Sequence, residues 1–360
     1  MGDAPPAIDD PTHVIRPIPS RPWPRIAIMA LLIGLALLGG WEAFWRSWDY
    51  LPGDYKNSES RWAQERRRAV GEATVLIGSS RMLFNVDLGV WEQASGGARP
   101  IQLGLEGTSP RAFLTDLAND ENFTGLVIAD VNTFSFFNSR GGRREDVLKY
   151  VRDQIPSQRI GHRLTVPFER VIGFIDDQTR PKEIWFNQVL PLRPEMKRRQ
   201  DPYKLYVMAP DRDAELWSRV EDDAAYRAEA IRIWNTQPRP PPPPKAKVDR
   251  VIAEVRADIE KIRARGGDVA FVQFPYAGRF TKIEDQYGRA RFWDRLIAET
   301  GVAGVNFQDH PQLQGFVLPE DSHLTARDSE TYTRALVPLL RAEIARRAAL
   351  RSTPPSAASS

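Results

Sequence analysis

Two short polar segments near opposite ends of the chain carry side chains that could together make or break an ester bond. Gly78-Ser79-Ser80-Arg81 offers serine hydroxyls, and Glu320-Asp321-Ser322-His323 offers a histidine beside two carboxylates. A serine becomes a nucleophile when a histidine takes its proton, a carboxylate orients that histidine and amide groups bind the oxyanion that develops. The two segments together are therefore candidates for nucleophilic ester chemistry, with a serine as the nucleophile and a histidine as the base.

The rest of the composition argues against several other kinds of site. The chain has no cysteine, which excludes disulfides, thiolate catalysis and cysteine-type zinc sites. Its four histidines show no metal-ligand spacing, so we expect neither a metal nor another cofactor. His310 is a rival base, but it follows too soon after a predicted strand. A net charge of +3, with 50 basic and 47 acidic residues, does not favour a nucleic-acid partner.

Short apolar runs alternate with amphipathic stretches on both sides of the chain's middle. This alternation predicts a largely parallel sheet covered by helices on both faces, a three-layer, flavodoxin-like α/β fold spanning residues 73–347. Ligands of such sheets bind beyond the carboxyl ends of the strands, where the two polar segments are expected. The predicted strands are 73–80, 99–107, 125–132, 268–275 and 302–307, and the predicted helices include 109–119, 248–267 and one that begins near residue 325.

Residues 138–247 interrupt this pattern and are interpreted as an insertion that forms a cap over the crevice. The insertion ends in Pro240–Pro244, a run that predicts an extended, rigid spacer. Three tryptophans of the insertion, Trp185, Trp217 and Trp234, suit either core packing or stacking on sugar rings.

An apolar segment near the N-terminus predicts a single transmembrane helix over residues 25–45. Three arginines precede the segment, and Arg46 is the only nearby base behind it. The positive-inside rule therefore predicts a cytoplasmic N-terminus and an exported domain, as in a bacterial inner-membrane protein facing the periplasm. A cleaved signal peptide is the alternative. We expect a disordered tail at 1–24, a helical stem at 46–72 and a second disordered tail at 348–360.

The chain resembles the SGNH (GDSL-like) superfamily of hydrolases and acyltransferases over residues 73–137 and 266–345. The matching blocks, in the order that the family has them, are GSS at 78–80, LGLEGTS at 103–109, IADVN at 128–132 and EDSH at 320–323. The resemblance implies Ser80, rather than Ser79, as the nucleophile and His323 as the base. It also implies that Gly107 and Asn132 bind the oxyanion.

Three positions depart from the family's pattern. The acid that usually precedes the serine is replaced by Ser79, and the glycine and trailing aspartate of the third block are replaced by Asp130 and Thr133. The usual spacing of acid and histidine would select Glu320 as the orienting carboxylate. The tighter spacing found in alginate-type O-acetyltransferases of the superfamily selects Asp321, which we prefer while keeping Glu320 open.

The resemblance implies an extracytoplasmic enzyme that acts on acyl, in the first place acetyl, esters of cell-envelope or exported polysaccharide. Either water or a sugar hydroxyl would resolve the acyl-enzyme, which leaves esterase and O-acyltransferase open. A transferase of this kind implies a multi-pass membrane partner that supplies the acyl group. Arg81 would hold a carboxylate or polyanionic substrate, or form a structural ion pair. The alternative function is a catalytically silent, membrane-tethered carbohydrate-binding or scaffold protein with the same fold.

Overall fold

The N-terminal part of the chain forms one long apolar helix. The computed structural model of the protein describes residues 21–97, 99–138, 142–175, 204–236 and 240–352, which fall into two compact units that divide after Asp49. In the first unit, α1 (Trp23–Arg46) has 24 residues and is apolar enough to cross a membrane. At 1.5 Å per residue it is about 36 Å long, more than the roughly 30 Å hydrocarbon core of a bilayer. The helix includes residues 23 and 24 of the predicted tail, and residues 1–20 lie outside the described residues.

A five-stranded parallel sheet forms the centre of the second unit. The strands in chain order are β1 (Thr74–Ile77), β2 (Ile101–Gln102), β3 (Leu126–Asp130), β4 (Tyr206–Met208), β5 (Ala214–Leu216), β6 (Asp268–Gln273) and β7 (Ala303–Asn306). The sheet has the order β2-β1-β3-β6-β7, while β4 and β5 pair separately as an antiparallel hairpin. Counting only the strands of the large sheet, this is the 2-1-3-4-5 order of flavodoxin-like folds. The predicted fold class is confirmed, and all five predicted strands are present.

Helices connect the strands and cover the sheet. They are α2 (Glu59–Arg68), α3 (Ser80–Phe84), α4 (Leu88–Ser95), α5 (Arg111–Ala118), α6 (Thr133–Asn138), α7 (Arg143–Asp153), α8 (Pro156–Glu169), α9 (Ser218–Asp222), α10 (Ala224–Thr236), α11 (Lys245–Ala264), α12 (Gly278–Tyr287), α13 (Trp293–Thr300) and α14 (Ala326–Ser352).

Both faces of the sheet are buried, because successive residues of each strand pack into different cores. Val75 and Ile77 of β1 face a cluster that includes α2, α5, α7, α11 and α13. Leu76, between them, faces a second cluster formed with α4 and α14. This alternation is what a parallel sheet between two helical layers requires. Because β1 and β3 are parallel neighbours, their carboxyl ends lie at the same edge of the sheet.

The predicted insertion contains helices α7 to α10 and the β4–β5 hairpin, although residues 176–203 and 237–239 of it lie outside the described part. Pro240–Pro244 has no regular secondary structure, as an extended spacer requires. Its backbone lies against the domain, since the carbonyl of Pro240 accepts a hydrogen bond from Tyr287 (3.2 Å) and that of Pro243 accepts one from Arg291 (2.7 Å).

Two of the predicted boundaries are wrong. The predicted stem, 46–72, is not a stem over most of its length, because α2 is packed into the domain, with Trp62 fully buried and its Nε1 donating to the Leu103 carbonyl at 3.0 Å. The predicted C-terminal tail at 348–360 begins too early, since α14 continues to Ser352. Residues 353–360 lie outside the described residues.

Candidate active site

The turn between β1 and α3 presents Ser80 at the first position of a helix. Ser79 is the N-cap residue of α3, and its Oγ accepts a hydrogen bond from the backbone nitrogen of Arg81 (3.3 Å). The same Oγ donates to Oδ2 of Asp130 at 2.5 Å. Ser79 is therefore engaged on both sides and buried, whereas the hydroxyl of Ser80, half-buried at the end of β1, remains available for a base.

His323 approaches Ser80 from the loop before α14. Its Nε2 lies 2.8 Å from Oγ of Ser80, across 243 positions of sequence. Its Nδ1 lies 2.7 Å from a carboxylate oxygen, so the hydrogen-bond network assigns the ring proton to Nδ1 and leaves Nε2 to accept from the serine. The ring itself is buried and packs edge-on against Phe84 at 4.9 Å between centroids. This is the geometry that a serine nucleophile and its base require.

The carboxylate behind His323 belongs to Glu320, which corrects our preference for Asp321. Oε1 of Glu320 accepts from both Nδ1 (2.7 Å) and the backbone nitrogen (2.8 Å) of His323. Asp321 has a φ of +73°, and its side chain lies against Gly278 instead. The physical reason is the turn: the longer glutamate side chain can fold back over three residues to both His323 donors, whereas the backbone of Asp321 turns its carboxylate toward α12.

The insertion contributes directly to this arrangement through Trp234 of α10. Its indole Nε1 donates to Oε2 of Glu320 at 2.6 Å, so both oxygens of this fully buried carboxylate are hydrogen-bonded. Trp217 has a different role, because it is buried against Tyr50 and Tyr226 in the core. The third tryptophan of the insertion, Trp185, lies outside the described residues.

We expect Trp234→Phe to lower kcat on an activated ester by roughly 3- to 30-fold, because the loss of a hydrogen bond to a buried carboxylate costs about 1–2 kcal/mol. With that donor gone, one oxygen of Glu320 is left unsatisfied and the carboxylate is held less firmly against Nδ1 of His323, so it orients the imidazole less well. Initial rates at saturating ester measure the loss of kcat. Trp217→Phe is the matched control, since it also loses an indole N–H but does not contact the triad. A wild-type kcat in folded Trp234→Phe, or an equal loss in Trp217→Phe, would contradict this role.

The two predicted oxyanion residues lie in the same cleft as Ser80 and His323. Gly107 has a φ of +68°, in the left-handed region that favours glycine. Oδ1 of Asn132 accepts from the backbone nitrogen of Ser135 (3.3 Å), so the NH₂ group is the part of this amide still able to donate. Gly107, Asn132 and the first residue of α3, Ser80, therefore all line one cleft, and amides of this kind are the donors that an oxyanion requires.

A polar network that sequence analysis missed supports the loop of Gly107. The carboxylate of the preceding residue, Glu106, accepts from Asn57 (2.8 Å) and Arg143 (2.7 Å). Burial acts to raise the pKa of Glu106, but the charge of Arg143 and hydrogen bonds from Tyr206 and Asn57 outweigh it and hold the pKa below its ordinary value. The glutamate is thus kept ionised beside the cleft.

The side chain of Arg212, from the turn of the β4–β5 hairpin, binds the backbone of the same loop. It is fully buried and donates to the carbonyls of Gln102 (3.0 Å) and Gly104 and to Oδ1 of Asn57 (2.7 Å). Because two of these partners are backbone carbonyls, no local motif in the sequence signals the contact. The insertion therefore supports the loop of Gly107 as well as the hydrogen-bonded chain of Ser80, His323 and Glu320.

Two departures from the family pattern lie in contact. In the SGNH blocks that the chain resembles, an acid usually stands at the position of Ser79 and a glycine at that of Asp130. Here the two side chains form the 2.5 Å hydrogen bond described above. Burial raises the pKa of Asp130, while the hydrogen bond from Ser79 and the charge of Arg81 act against that increase. Gly78 permits this approach, since a Cβ there would lie 2.6 Å from the Cβ atoms of Asp130 and Met82.

The cleft at these residues has a volume of about 300 Å³. Its further walls include aromatic side chains, Phe134, Trp234 and Phe280, and polar groups of Thr108 and Ser322. Cavities of about 410 and 470 Å³ lie elsewhere on the domain, but neither is lined by Ser80 or His323. A mixed apolar and polar lining around a hydrogen-bonded serine and histidine is typical of a small-ligand site.

His310, the rival base, does not line this cleft. It is half-exposed in the loop between Phe307–Asp309 and Pro311–Leu313, two short 3₁₀ turns after β7. Arg81 does line the cleft, and its Nε contacts Oγ of Ser322 at 3.4 Å.

Comparison with models of known protein families finds no match, and comparison with curated proteins finds no significantly similar sequence. The geometry of the site therefore carries the functional argument without support from a relative.

Proposed function

We propose that the protein is a serine-dependent ester enzyme of the SGNH type, acting as an acyl esterase or O-acyltransferase. One observation carries this proposal: Oγ of Ser80, the ring of His323 and the carboxylate of Glu320 form a continuous hydrogen-bonded chain with distances of 2.8 and 2.7 Å. Such chains activate serine nucleophiles on unrelated folds, where they are recognised by geometry and role. The parallel sheet with the site at its carboxyl edge adds support.

In the proposed reaction, Oγ of Ser80 attacks the ester carbonyl while Nε2 of His323 takes the hydroxyl proton. Glu320 stabilises the resulting imidazolium through Nδ1, and the amides of Ser80 and Gly107 with the side chain of Asn132 bind the oxyanion. His323 then gives its proton to the leaving alkoxide as the tetrahedral intermediate collapses to an acyl-serine and an alcohol. Water or a sugar hydroxyl then attacks the acyl-serine while His323 takes its proton. The bond from the acyl group to Oγ breaks, which releases a carboxylic acid or an acylated sugar, and His323 returns the proton to Oγ of Ser80.

The expected membrane topology of α1 suggests the compartment in which the substrate is found. If α1 spans the inner membrane with the N-terminus in the cytoplasm, the domain faces the periplasm, where acylated cell-envelope or exported polysaccharides are the accessible esters. The acyl group would come from such an ester or from a multi-pass membrane protein that delivers it. Fusion of alkaline phosphatase after Ser352 tests the orientation, because that enzyme is active only when exported; an inactive fusion would contradict it.

Turnover of 4-nitrophenyl acetate by the full-length protein in detergent tests the proposed activity. We expect wild-type protein to release nitrophenol and Ser80→Ala to fall to the rate of the buffer, while Ser79→Ala keeps a measurable rate. Adding an oligosaccharide acceptor then separates the two second steps, because a transferase produces an acetylated sugar and an esterase produces acetate. No turnover by folded wild-type protein would favour the catalytically silent scaffold.

A further inference from the structure

One charged side chain of the cleft, Arg81, has no role in the proposed reaction. It follows the nucleophile directly, lines the cleft and is only 2% exposed. Its guanidinium lies over the rings of Phe280 and Tyr276, at 5.1 and 5.5 Å from their centroids. Stacking of this kind occupies the faces of the planar group and leaves its edge N–H groups to bind a partner.

Those edge groups have almost no protein partner. Nε contacts Oγ of Ser322 at the long distance of 3.4 Å, and Nη2 is buried without an acceptor. Among the residues that the structure describes, no carboxylate oxygen lies within 4.0 Å of a guanidinium nitrogen of Arg81, so none forms an ion pair with it. An arginine carries its charge at every physiological pH, and removing such a charge from water is costly unless a counter-ion and hydrogen bonds replace the water.

Two interior acids, Asp130 and Glu284, interact with Arg81 through the electrostatic field, without a hydrogen bond or an ion pair. Burial raises the pKa of both carboxyl groups, which weakens each as a counter-ion. Asp130 is also engaged by Ser79 at 2.5 Å, and Glu284 lies 3.4 Å from Nε2 of Gln273. The described part of the protein therefore balances the charge of Arg81 in part, and it hydrogen-bonds the guanidinium only through the long contact of Nε with Ser322.

We propose that Arg81 is the anion-binding residue of the cleft, and that the ester substrate carries a carboxylate or phosphate that Arg81 binds beside the reacting carbonyl. This inference rests on the proposed ester chemistry and adds the substrate class to it: acidic, rather than neutral, acylated glycans. A carboxylate or phosphate can take two parallel hydrogen bonds from one guanidinium, which fixes both its position and its orientation. With the anion held by the residue next to Ser80, the ester would be placed for attack.

Binding of small anions to the full-length Ser80→Ala protein tests this subsite without requiring any turnover. Thermal denaturation and calorimetric titration would use D-glucuronate, D-glucose and inorganic phosphate, with sodium chloride added to constant ionic strength. We expect saturable binding of glucuronate or phosphate and none of glucose. Glucuronate and phosphate differ in their anionic group, so their relative affinities identify the carboxylate or the phosphate as the preferred partner.

Adding Arg81→Gln to Ser80→Ala should weaken binding of the anion by roughly 10- to 100-fold, the usual value of a charge-assisted hydrogen-bonded pair. Arg81→Lys keeps the charge but loses the fork, so it should show an intermediate loss and serves if the glutamine variant does not fold. Arg327→Gln, at an exposed position outside the cleft, is the matched control.

The proposal is overturned if folded Ser80→Ala protein binds no anion more tightly than glucose, or if binding survives Arg81→Gln unchanged. Either result leaves the serine chemistry untouched, because the assay contains no ester. Conversely, anion binding with no turnover by the wild-type protein would retain the subsite and contradict the proposed enzyme.

Discussion

Replacing His323 with alanine is expected to reduce kcat/KM on an activated acetyl ester by about 10⁴- to 10⁶-fold, the scale seen when the base of a serine triad is removed. Nε2 of His323 is the atom that contacts Oγ of Ser80, at 2.8 Å. Without it the hydroxyl has no acceptor for its proton, so the nucleophile is weak at neutral pH. The rates of purified full-length variants, measured by nitrophenol release, check the prediction.

His310→Ala is the matched control, because it removes the other histidine that follows β7 and lies outside the cleft. It should retain wild-type kcat/KM. A large loss of kcat/KM in His310→Ala, with His323→Ala little changed, would show that His310 is the base and would contradict the arrangement described above. Circular dichroism of both variants separates loss of chemistry from loss of fold.

Replacing Glu320 with glutamine should lower kcat by about 10²- to 10⁴-fold, whereas Asp321→Asn should change it less than about threefold. Oε1 of Glu320 accepts from Nδ1 and from the backbone nitrogen of His323. An amide there has less negative charge to stabilise the imidazolium and allows the wrong ring tautomer. Asp321, one residue along, contacts Gly278 rather than the histidine.

The two variants control for each other, since each converts one carboxylate of the same loop into an amide of equal size. Equal losses in both would mean that the loop's overall negative charge matters rather than the one hydrogen bond. A larger loss in Asp321→Asn would restore the carboxylate that the sequence favoured. Both variants are measured at the same pH and ionic strength, so that a difference in kcat reports the substitution alone.

Much of the fold follows from patterns that are local in sequence. Val75, Leu76 and Ile77 are apolar in succession because both faces of a parallel sheet are covered, and this signal identified all five strands of the sheet. The stem was misjudged because the contacts that bury it are not local in sequence. Its helix, α2, is rich in arginine, and burial of Arg61 depends on Glu169, 108 residues away, which no local pattern contains.

The candidate site was predictable where it follows a strand end and not where it depends on distant side chains. Ser80 could be placed because it follows a strand at the carboxyl edge of a parallel sheet, and its pairing with His323 came from the resemblance to the SGNH blocks. The choice between Glu320 and Asp321 could not be made from spacing, since it depends on the backbone turn at Asp321. Trp234 could not be placed either, because its indole reaches Glu320 from a helix 86 residues earlier.

Ser79 and Asp130 show how a departure from the pattern of a resembled family can be interpreted. Taken singly, each weakens the resemblance. In the structure the carboxylate absent at one position is supplied from the neighbouring strand at the other, and Ser79 Oγ links the two at 2.5 Å. A single sequence does not reveal that pairing, because the two residues are 51 positions apart.

The identity of the nucleophile is the claim on which the rest depends, and a covalent probe tests it most directly. Purified full-length protein treated with a serine-directed fluorophosphonate should form one adduct, mapped by peptide mass spectrometry to Ser80 and not to Ser79. The adduct should be absent in Ser80→Ala and strongly reduced in His323→Ala. An adduct on another residue, or equal labelling of wild-type and Ser80→Ala proteins, would contradict the account.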